Sequence, residues 1–597
     1  MRAKFIVFAF VAVWLSLLVR IFYLSIQSNN YYETLSDQNT IKTELVAPVR
    51  GDILDRTGKP IAINKLGFKI QLKPHLTQGS DSSKLESEAD AIVALLPWID
   101  REKLLKNYRS RDSYYNHHDI DVIDFVSYED ILPIYSKLNL RENIKVVSAP
   151  KRYYPYGNMA AHIIGYVSKA NQKEIDANPE LKLVGSVGKN GIEKYYNDYL
   201  QGIPGKRTIK VSAYNEEISE LSYVKAVENH QLTLTIDMRL QQYIAELFKT
   251  QSGAVVVMSV DGSILAAGSY PEYDLNTFVS GISREKWNEL ITDLDAPFTN
   301  KITNGLYPPG STIKTGLGLI YATSGLSRWW HVDCTGSMDL GKRKFRCWKH
   351  QGHGKTDLVK AIRESCDDYF YKGSLKIGIA AMSERLIHYG LGQKTGVDLP
   401  NEFIGTVPNR DWKRRRYNQP WYIGETLNTS IGQGNFLTTP LQIAQFTALM
   451  ATGKRPIPHV VGSLGDEPFI GQVDDKVLSE EELKMLPQIQ KAMVQVCNHP
   501  NGTASAYVSS KIKMAGKTGT AQVIGISQET KERLKEHEME YYQRSHAWFT
   551  TYAPASKPEY VITVLVEHGG HGGAAAGDIV SKLYDRLYDL GYITSRR

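Results

Sequence analysis

Cysteine is scarce, with four residues in 597, too few for a disulfide scaffold. Charge of one sign is scarce too. Seventy-one basic against 64 acidic residues leave a net +7, a mild excess that argues against nucleic acid as a partner. No low-complexity tract or fixed-period repeat occurs. A hydrophobic fraction of 42% excludes wholesale disorder and collagen-like chains. Length gives a prior of roughly three to four domains of about 150 residues each.

A single run of 18 or more apolar residues is present, FIVFAFVAVWLSLLVRIFYLSI at 5–26. As a helix rising about 1.5 Å per residue it spans roughly 33 Å, enough for a bilayer core. Arg20 lies near one end, within snorkelling reach of the headgroups. The run is long for a signal peptide and lacks an A-x-A-like cleavage site, so an uncleaved anchor is expected. Arg2 and Lys4 precede it and favour a cytoplasmic N-terminus. The expected layout is a cytoplasmic tail at 1–4, a span at 5–26, a non-catalytic module at 27–230 and a second domain at 231–597.

Residues 27–45 read as a polar stalk. Asp55-Arg56-Thr57-Gly58 separates two apolar segments, a hairpin pattern. Lys84–Leu96 reads as a charged helix. Near 231 the texture changes. QLTLTIDMRLQQYIAELF (231–248) reads as strand then amphipathic helix, and GAVVVMSVDGSILAAGS (253–269) as a hairpin around Asp-Gly. A helical middle follows. Strands are expected at 511–524, 546–555 and 559–570, then an amphipathic C-terminal helix. Strands at both ends with helices between predict an α+β domain whose sheet joins its two ends.

The pattern S-x-x-K occurs at Ser148, Ser186, Ser222, Ser283, Ser311 and Ser510, so alone it carries nothing. Context selects Ser311, which follows Tyr307-Pro308-Pro309-Gly310 and opens an apolar run. Pro-Pro-Gly before serine is a turn into a helix start, where free N–H groups favour an oxyanion. Lys314 lies one turn on, on the same face, and a buried amine can take the serine proton. The competing reading is an N-capping serine beside a solvated lysine. Ser365-Cys366-Asp367 places a hydroxyl and a carboxylate between helices, suited to relaying a proton. Lys517-Thr518-Gly519 lies in a period-two strand, where glycine admits a close backbone and the polar pair suits a carboxylate. A second K-T-G, at Lys394-Thr395-Gly396, sits in a turn and reads as structural.

S-x-x-K, S-x-[ND] and K-T-G in this order, starting 54 and then 152 residues apart, resemble the three motifs of penicillin-binding proteins. RGDILDRTG (50–58) and GKNGIEKYYNDYLQGIPG resemble the class B non-catalytic module. RYYPYG, PNRDWKRRRYNQPWYIGET, IGQG, HPNGTA and KTGTAQV are similar to the elongation-type enzymes, penicillin-binding protein 2. Asp367 stands where asparagine is commoner.

The resemblance implies an anchored α+β pedestal (27–230) carrying a serine-β-lactamase-like transpeptidase domain (231–597). The implied reaction is cross-linking of peptidoglycan stem peptides through a Ser311 acyl-enzyme, blocked by β-lactams. Lys314 is the implied base, with Ser365 and Asp367 relaying the proton. Lys517, Thr518 and Gly519 would hold the donor, and the N–H groups of Ser311 and Thr520 would form the oxyanion hole. The implied setting is the inner membrane, single-pass, with the bulk of the chain in the periplasm. Implied partners are a polytopic glycosyltransferase of the shape and elongation type and other elongation-complex proteins. A division-type transpeptidase, a D,D-carboxypeptidase, a β-lactamase and a β-lactam sensor are the rival readings.

Cys334, Cys347, His353 and Cys366 make a Cys3His set suited to structural Zn²⁺, in a region where elongation-type relatives carry metal ligands. Asp333 and His350 are alternative ligands, and a Cys334–Cys347 disulfide is the rival. Cys497 stands apart. Lys413–Arg416 reads as a solvated loop, and 526–545 as a charged, helix-like insertion. His568 and His571 are expected near the site without a role.

Overall fold

The computed structural model describes residues 2–27, 40–46, 48–77, 83–116, 118–211, 217–226, 231–326, 329–523 and 536–594. Among them, one helix is long and apolar enough to cross a membrane, Ala3–Ile26. Its Phe5, Phe8, Phe10 and Trp14 side chains are all exposed. An apolar helix of this length left unburied fits a single-pass membrane anchor.

Part of the expected stalk is a strand. Ile41–Val46 pairs antiparallel with Gly205–Val211, which pairs with Glu217–Val224. The segment, Ile-Lys-Thr-Glu-Leu-Val, has no strict apolar–polar alternation, and its pairing comes from a partner more than 150 positions away, invisible to local pattern. Residues 28–39 of that stalk lie outside the described residues.

The Asp55 hairpin forms as its turn residues dictate. Asp55 Oδ1 accepts from Thr57 N at 2.8 Å, Thr57 Oγ1 at 2.7 Å and Lys59 N at 2.9 Å. These bonds close the turn between Ile53–Leu54 and Pro60–Lys65. Its other oxygen accepts from Met238 N at 3.3 Å, tying the hairpin to the second half of the chain. Leu232–Leu234 lies between Ile53–Leu54 and Val461–Leu464 in one sheet, so strands from both halves share a core. A separate core forms between Gly67–Leu72, Ile120–Ser127, Ile144–Ser148 and the helices Ser83–Leu95 and Arg101–Arg111.

Another sheet is five-stranded and antiparallel. Its order is Ile264–Tyr270, Gly253–Ser259, Tyr560–Val566, His546–Ala553, Ala515–Ala521. The first two and the last of these in sequence come from opposite ends of the domain, as the sequence pattern requires. Thr550 bonds Thr447 of the helix Pro440–Thr452, while its neighbour Thr551 bonds Tyr584 of the helix Gly572–Asp589. Successive side chains point to opposite faces, so the two helices cover opposite sides. Pro440–Thr452 is buried nearly all round between the sheet and further helices, with Gln442, Gln445 and Thr447 hydrogen-bonded inside.

One further expectation fails, and a second fails over its described part. Lys413–Arg416 is not a loop but part of the helix Arg410–Tyr417, because Asn409 accepts from Trp412 N and caps it. Lys413 is buried against Glu425. The insertion 526–545 is described from 536 onward, where it forms short 3₁₀ turns at Glu536–Glu538 and Tyr541–Gln543. Glu536 folds back to accept from Ser545 N and Oγ, both at 2.9 Å, which competes with continuing a helix.

Candidate active site

Ser311 sits on a turn held from three sides. Gly310 has φ +55°, and its N–H bonds Gly432 O at 2.9 Å. A Cβ at Gly310 would lie 2.8 Å from Thr520 O and 3.2 Å from Thr520 N, so the turn rests on the peptide of Thr520. Trp548 Nε1 donates to Pro308 O at 3.0 Å, and Thr312 Oγ1 to Pro309 O at 2.8 Å. A 3₁₀ turn, Gly310–Ile313, leads into the helix Lys314–Thr323, directing the N-terminal N–H groups toward Ser311.

Lys314 is fully buried. Its Nζ donates to Asp367 Oδ1 at 2.7 Å, Ser365 O at 3.0 Å and Ser365 Oγ at 3.2 Å. These three acceptors match the three protons of an ammonium. Among the described residues no hydrogen bond joins Ser311 Oγ to Lys314; the carboxylate is the stronger acceptor and holds the amine. Burial pushes the Asp367 carboxyl up, against the opposing pull of Lys314 and of Trp348 N–H, which donates to Asp367 Oδ2 at 2.9 Å. Ser365 has φ +54°, the left-handed region that a serine enters at a cost of about 1–3 kcal/mol. That conformation presents both its carbonyl and its hydroxyl to one nitrogen.

The K-T-G strand divides in two. Thr518, Gly519 and Thr520 line the cleft with Ser311, Ser365 and Asp367. Lys517 is fully buried behind them, with Nζ on Thr518 O at 2.9 Å. Burial drives its amine well below the usual lysine range, and the like charge of Lys314 adds to this. A Cβ at Gly519 would lie 3.0 Å from Thr312 Cγ2 and 3.1 Å from Pro309 O. The glycine therefore first admits the nucleophile turn against the strand. Lys394-Thr395-Gly396 is the structural turn its context suggested: Thr395 N and Oγ1 donate to Glu402, at 2.7 and 2.6 Å.

The cleft has a volume of ≈ 700 Å³. Sequence reasoning missed several of its walls. Thr503 Oγ1 lies 2.7 Å from Thr518 Oγ1, and Gln433 Nε2 donates to Thr520 O at 2.8 Å. Both sit in stretches noted for family likeness, HPNGTA and IGQG, where residue type alone assigned no role. Trp348, Tyr371 and the strand Arg343–Arg346 form another wall. His571 also lines the cleft. His568 packs on His546, ring centroids 4.7 Å apart.

Beside the middle motif, Cys334, Cys347, His353 and Cys366 are buried with one ligand atom each, all within 4.8 Å of one another. His353 Nδ1 lies 3.6 Å from Cys334 Sγ and 3.5 Å from Cys347 Sγ. Tetrahedral bonds of about 2.3 Å place donors roughly 3.8 Å apart, so the set fits a metal ion. All four cysteines are free thiols, with no Cys334–Cys347 bridge. The alternative ligands Asp333 and His350 are exposed and outside the group.

The chain matches the family model of the penicillin binding protein transpeptidase domain at residues 253–585 and that of the penicillin-binding protein dimerisation domain at 45–234. It is 34% identical to the peptidoglycan D,D-transpeptidase MrdA of Haemophilus influenzae, covering 95% of this chain and 88% of that protein. Among solved structures it is similar to penicillin-binding protein PBP2 in its complex with MreC from Helicobacter pylori. That similarity is 42% identity and a TM-score of 0.84, over 93% of this chain and 100% of that one. A chain from a peptidoglycan synthase complex coordinating polymerization and crosslinking aligns at 25% identity and TM-score 0.72, over 100% of both chains.

Proposed function

The chain belongs to the penicillin-binding protein 2 family of peptidoglycan D,D-transpeptidases, and on that premise we propose which of its side chains carry the reaction. The family reaction is serine acyl transfer: stem peptides ending in D-Ala-D-Ala are cross-linked during cell elongation, and β-lactams block the step.

Ser311 Oγ attacks the carbonyl of the penultimate D-alanine. The C–O bond forms, the peptide C–N bond breaks, and D-alanine leaves as the amine. As Lys314 Nζ passes one proton to Asp367 it takes the serine proton, and the Ser365 hydroxyl on the same nitrogen hands a proton to the leaving amine and is resupplied from Lys314. Asp367 positions Lys314 and, with its carboxyl raised by burial, shares that proton. The N–H groups of Ser311 and Thr520 receive the oxyanion. Thr518 and Thr520 take the donor's terminal carboxylate, with Gly519 between them and Lys517 supporting the strand from behind. A second stem's amine then reverses these steps and completes the cross-link. The observation that carries this reading is one buried nitrogen bonded to both Ser365 and Asp367, one turn from Ser311 at the cleft floor. Donor-dependent D-alanine release, with transfer of the acyl group to an amine acceptor, both lost in Ser311→Ala, tests it; transfer of the acyl group to water alone would favour a carboxypeptidase.

Cys334, Cys347, His353 and Cys366 hold structural Zn²⁺, which when bound clamps the Ser365–Asp367 loop to the segment carrying Trp348. Arg2 and Lys4 keep the tail cytoplasmic, placing the span in the inner membrane and the rest in the periplasm. Residues 27–230 act as a pedestal under the 231–597 transpeptidase. The H. pylori relative is seen with MreC, and the synthase complex joins polymerization to crosslinking. By that likeness, the anchor and pedestal here contact a polytopic glycosyltransferase and other elongation-complex proteins.

A further inference from the structure

Lys301 is a fully buried lysine that no step of the reaction uses. Its Nζ donates to Ser252 Oγ at 2.5 Å, Glu567 Oε2 at 2.6 Å and Tyr270 O at 2.7 Å. Three acceptors match the three protons of the ammonium. Ser252 Oγ donates in turn to Glu567 Oε2. Ser252, Tyr270 and Glu567 stand at one end of three neighbouring sheet strands, Gly253–Ser259, Ile264–Tyr270 and Tyr560–Val566, where Gly253 pairs with both Tyr270 and Val566. Lys301 therefore gathers the end of the sheet around one charge.

The second carboxylate oxygen of Glu567 reaches away from the sheet. Glu567 Oε1 accepts from Tyr307 Oη at 2.7 Å, and Tyr307 opens the turn Tyr307-Pro308-Pro309-Gly310 that ends on Ser311. Burial, and then the Glu567 charge, raise the Tyr307 phenol well above its ordinary range, so it keeps its proton and donates. Burial would raise the Glu567 carboxyl, but the Lys301 charge and the bonds from Lys301, Ser252 and Tyr307 outweigh it and hold the carboxyl below the usual range.

The Tyr307 backbone is paired with Thr438, N to O at 3.0 Å and O from N at 2.9 Å. Its ring stands edge-on to Trp548, centroids 6.2 Å apart, and the Trp548 indole holds Pro308 O. A backbone pair fixes where residue 307 lies but leaves the chain free to roll about that pair. The bond from the Tyr307 side chain to the end of the sheet removes this freedom.

A buried ion pair seldom adds net stability, because desolvation offsets the attraction. What it supplies at this place is a charged acceptor of fixed direction, and bonds to charged acceptors are shorter and stronger than neutral ones. We propose that Lys301 and Glu567 are positioning residues for the acyl transfer, acting through the Tyr307 hydroxyl to set the direction in which the turn presents Ser311 to the cleft. This rests on the transpeptidase reading and extends it to residues outside the three motifs.

The test uses the full chain in detergent and stopped-flow acylation over a range of benzylpenicillin concentrations. This separates the binding constant of the noncovalent complex from the acylation rate constant. Tyr307→Phe removes one oxygen and leaves Glu567 paired with Lys301. It should slow acylation about tenfold with the binding constant unchanged, because a misaligned nucleophile loses rate rather than affinity. Glu567→Gln should slow acylation by a similar factor on its own and add little in the Tyr307→Phe background, whereas independent effects would multiply. Lys301→Arg, which keeps the charge, should retain more of the rate than Lys301→Met. Acylation of Tyr307→Phe at the wild-type rate overturns the proposal, as does a loss carried by the binding constant alone or a pair of effects that multiply. If Glu567→Gln does not fold, Tyr307→Phe and its split between rate and binding decide. Failure of penicillin to acylate Ser311 in the wild type would instead overturn the transpeptidase reading.

Discussion

Lys314 Nζ lies 2.7 Å from Asp367 Oδ1, and the lysine is wholly buried. The pair spans the first and second motifs, so the nucleophile's helix and the relay loop form one unit. Removing one partner leaves the other charged and dry, which is far costlier than losing an exposed pair.

Asp367→Ala should therefore lower penicillin acylation by about 100-fold or more and reduce stability measurably. Asp367→Asn, which keeps the shape and one acceptor, should retain more of both. Stopped-flow acylation and thermal melts read the two effects; equal and near-wild-type rates for both variants would contradict the pairing.

Gly519→Ala tests the contact between strand and nucleophile turn. The added methyl meets Thr312 and Pro309, so the turn must shift. Overpacking of this kind costs about 1–3 kcal/mol, and acylation should fall more than stability does. A variant acylated at the wild-type rate would show that the turn yields freely.

Metal removal should act on the relay loop. Elemental analysis should find one zinc per chain, lost in Cys366→Ala together with part of the thermal stability and acylation rate. Absence of zinc with a Cys334–Cys347 disulfide by mass spectrometry would reject this.

Glu193 is buried between Arg50 and Arg152, 2.7 Å from each, far in sequence from the cleft motifs. Glu193→Ala removes the buried carboxylate from both guanidinium groups, leaving Arg152 only the Asp52 carboxylate at 3.9 Å, and should destabilise by about 3–5 kcal/mol. Below the new melting point, labelling of Ser311 by penicillin should persist, which separates pedestal integrity from chemistry.

Burial, joined at His546 by the nearby His568 charge, holds His162 and His546 down to about 4. Both pKa values are depressed in the folded state, so the unfolded chain binds the extra protons first. The stability they permit is present above about 6.5 and lost as pH falls toward about 4, at most on the order of 3 kcal/mol each. Melting temperature should drop across that window, with a shallower slope in His546→Gln; an unchanged slope would contradict the assignment.

Much of this was legible in the chain. Apolar runs at 253–269, 546–555 and 559–570 became sheet strands, apolar on both faces because both faces are buried. Asp55 marked its hairpin because the carboxylate bonds its own turn. The three motifs converged as their order implied. What stayed hidden depends on distant partners. The 343–346 wall is placed by Phe345 packing on Tyr371 and Leu427 and by the Tyr371 hydroxyl on Arg346 O, partners distant in sequence. The strand Ile41–Val46 is made by residues 205–210. Lys314 was legible as an amine one turn from Ser311 but not as the partner of Asp367, since a loop 53 positions on delivers that carboxylate.

The most direct test is mass spectrometry of the intact chain after exposure to benzylpenicillin, with the adduct mapped by peptide digestion. One penicilloyl group per chain on Ser311, absent in Ser311→Ala and slowed in Lys314→Met, is the expected result. An adduct on any other side chain, or full-rate labelling without the Lys314 amine, would contradict the account.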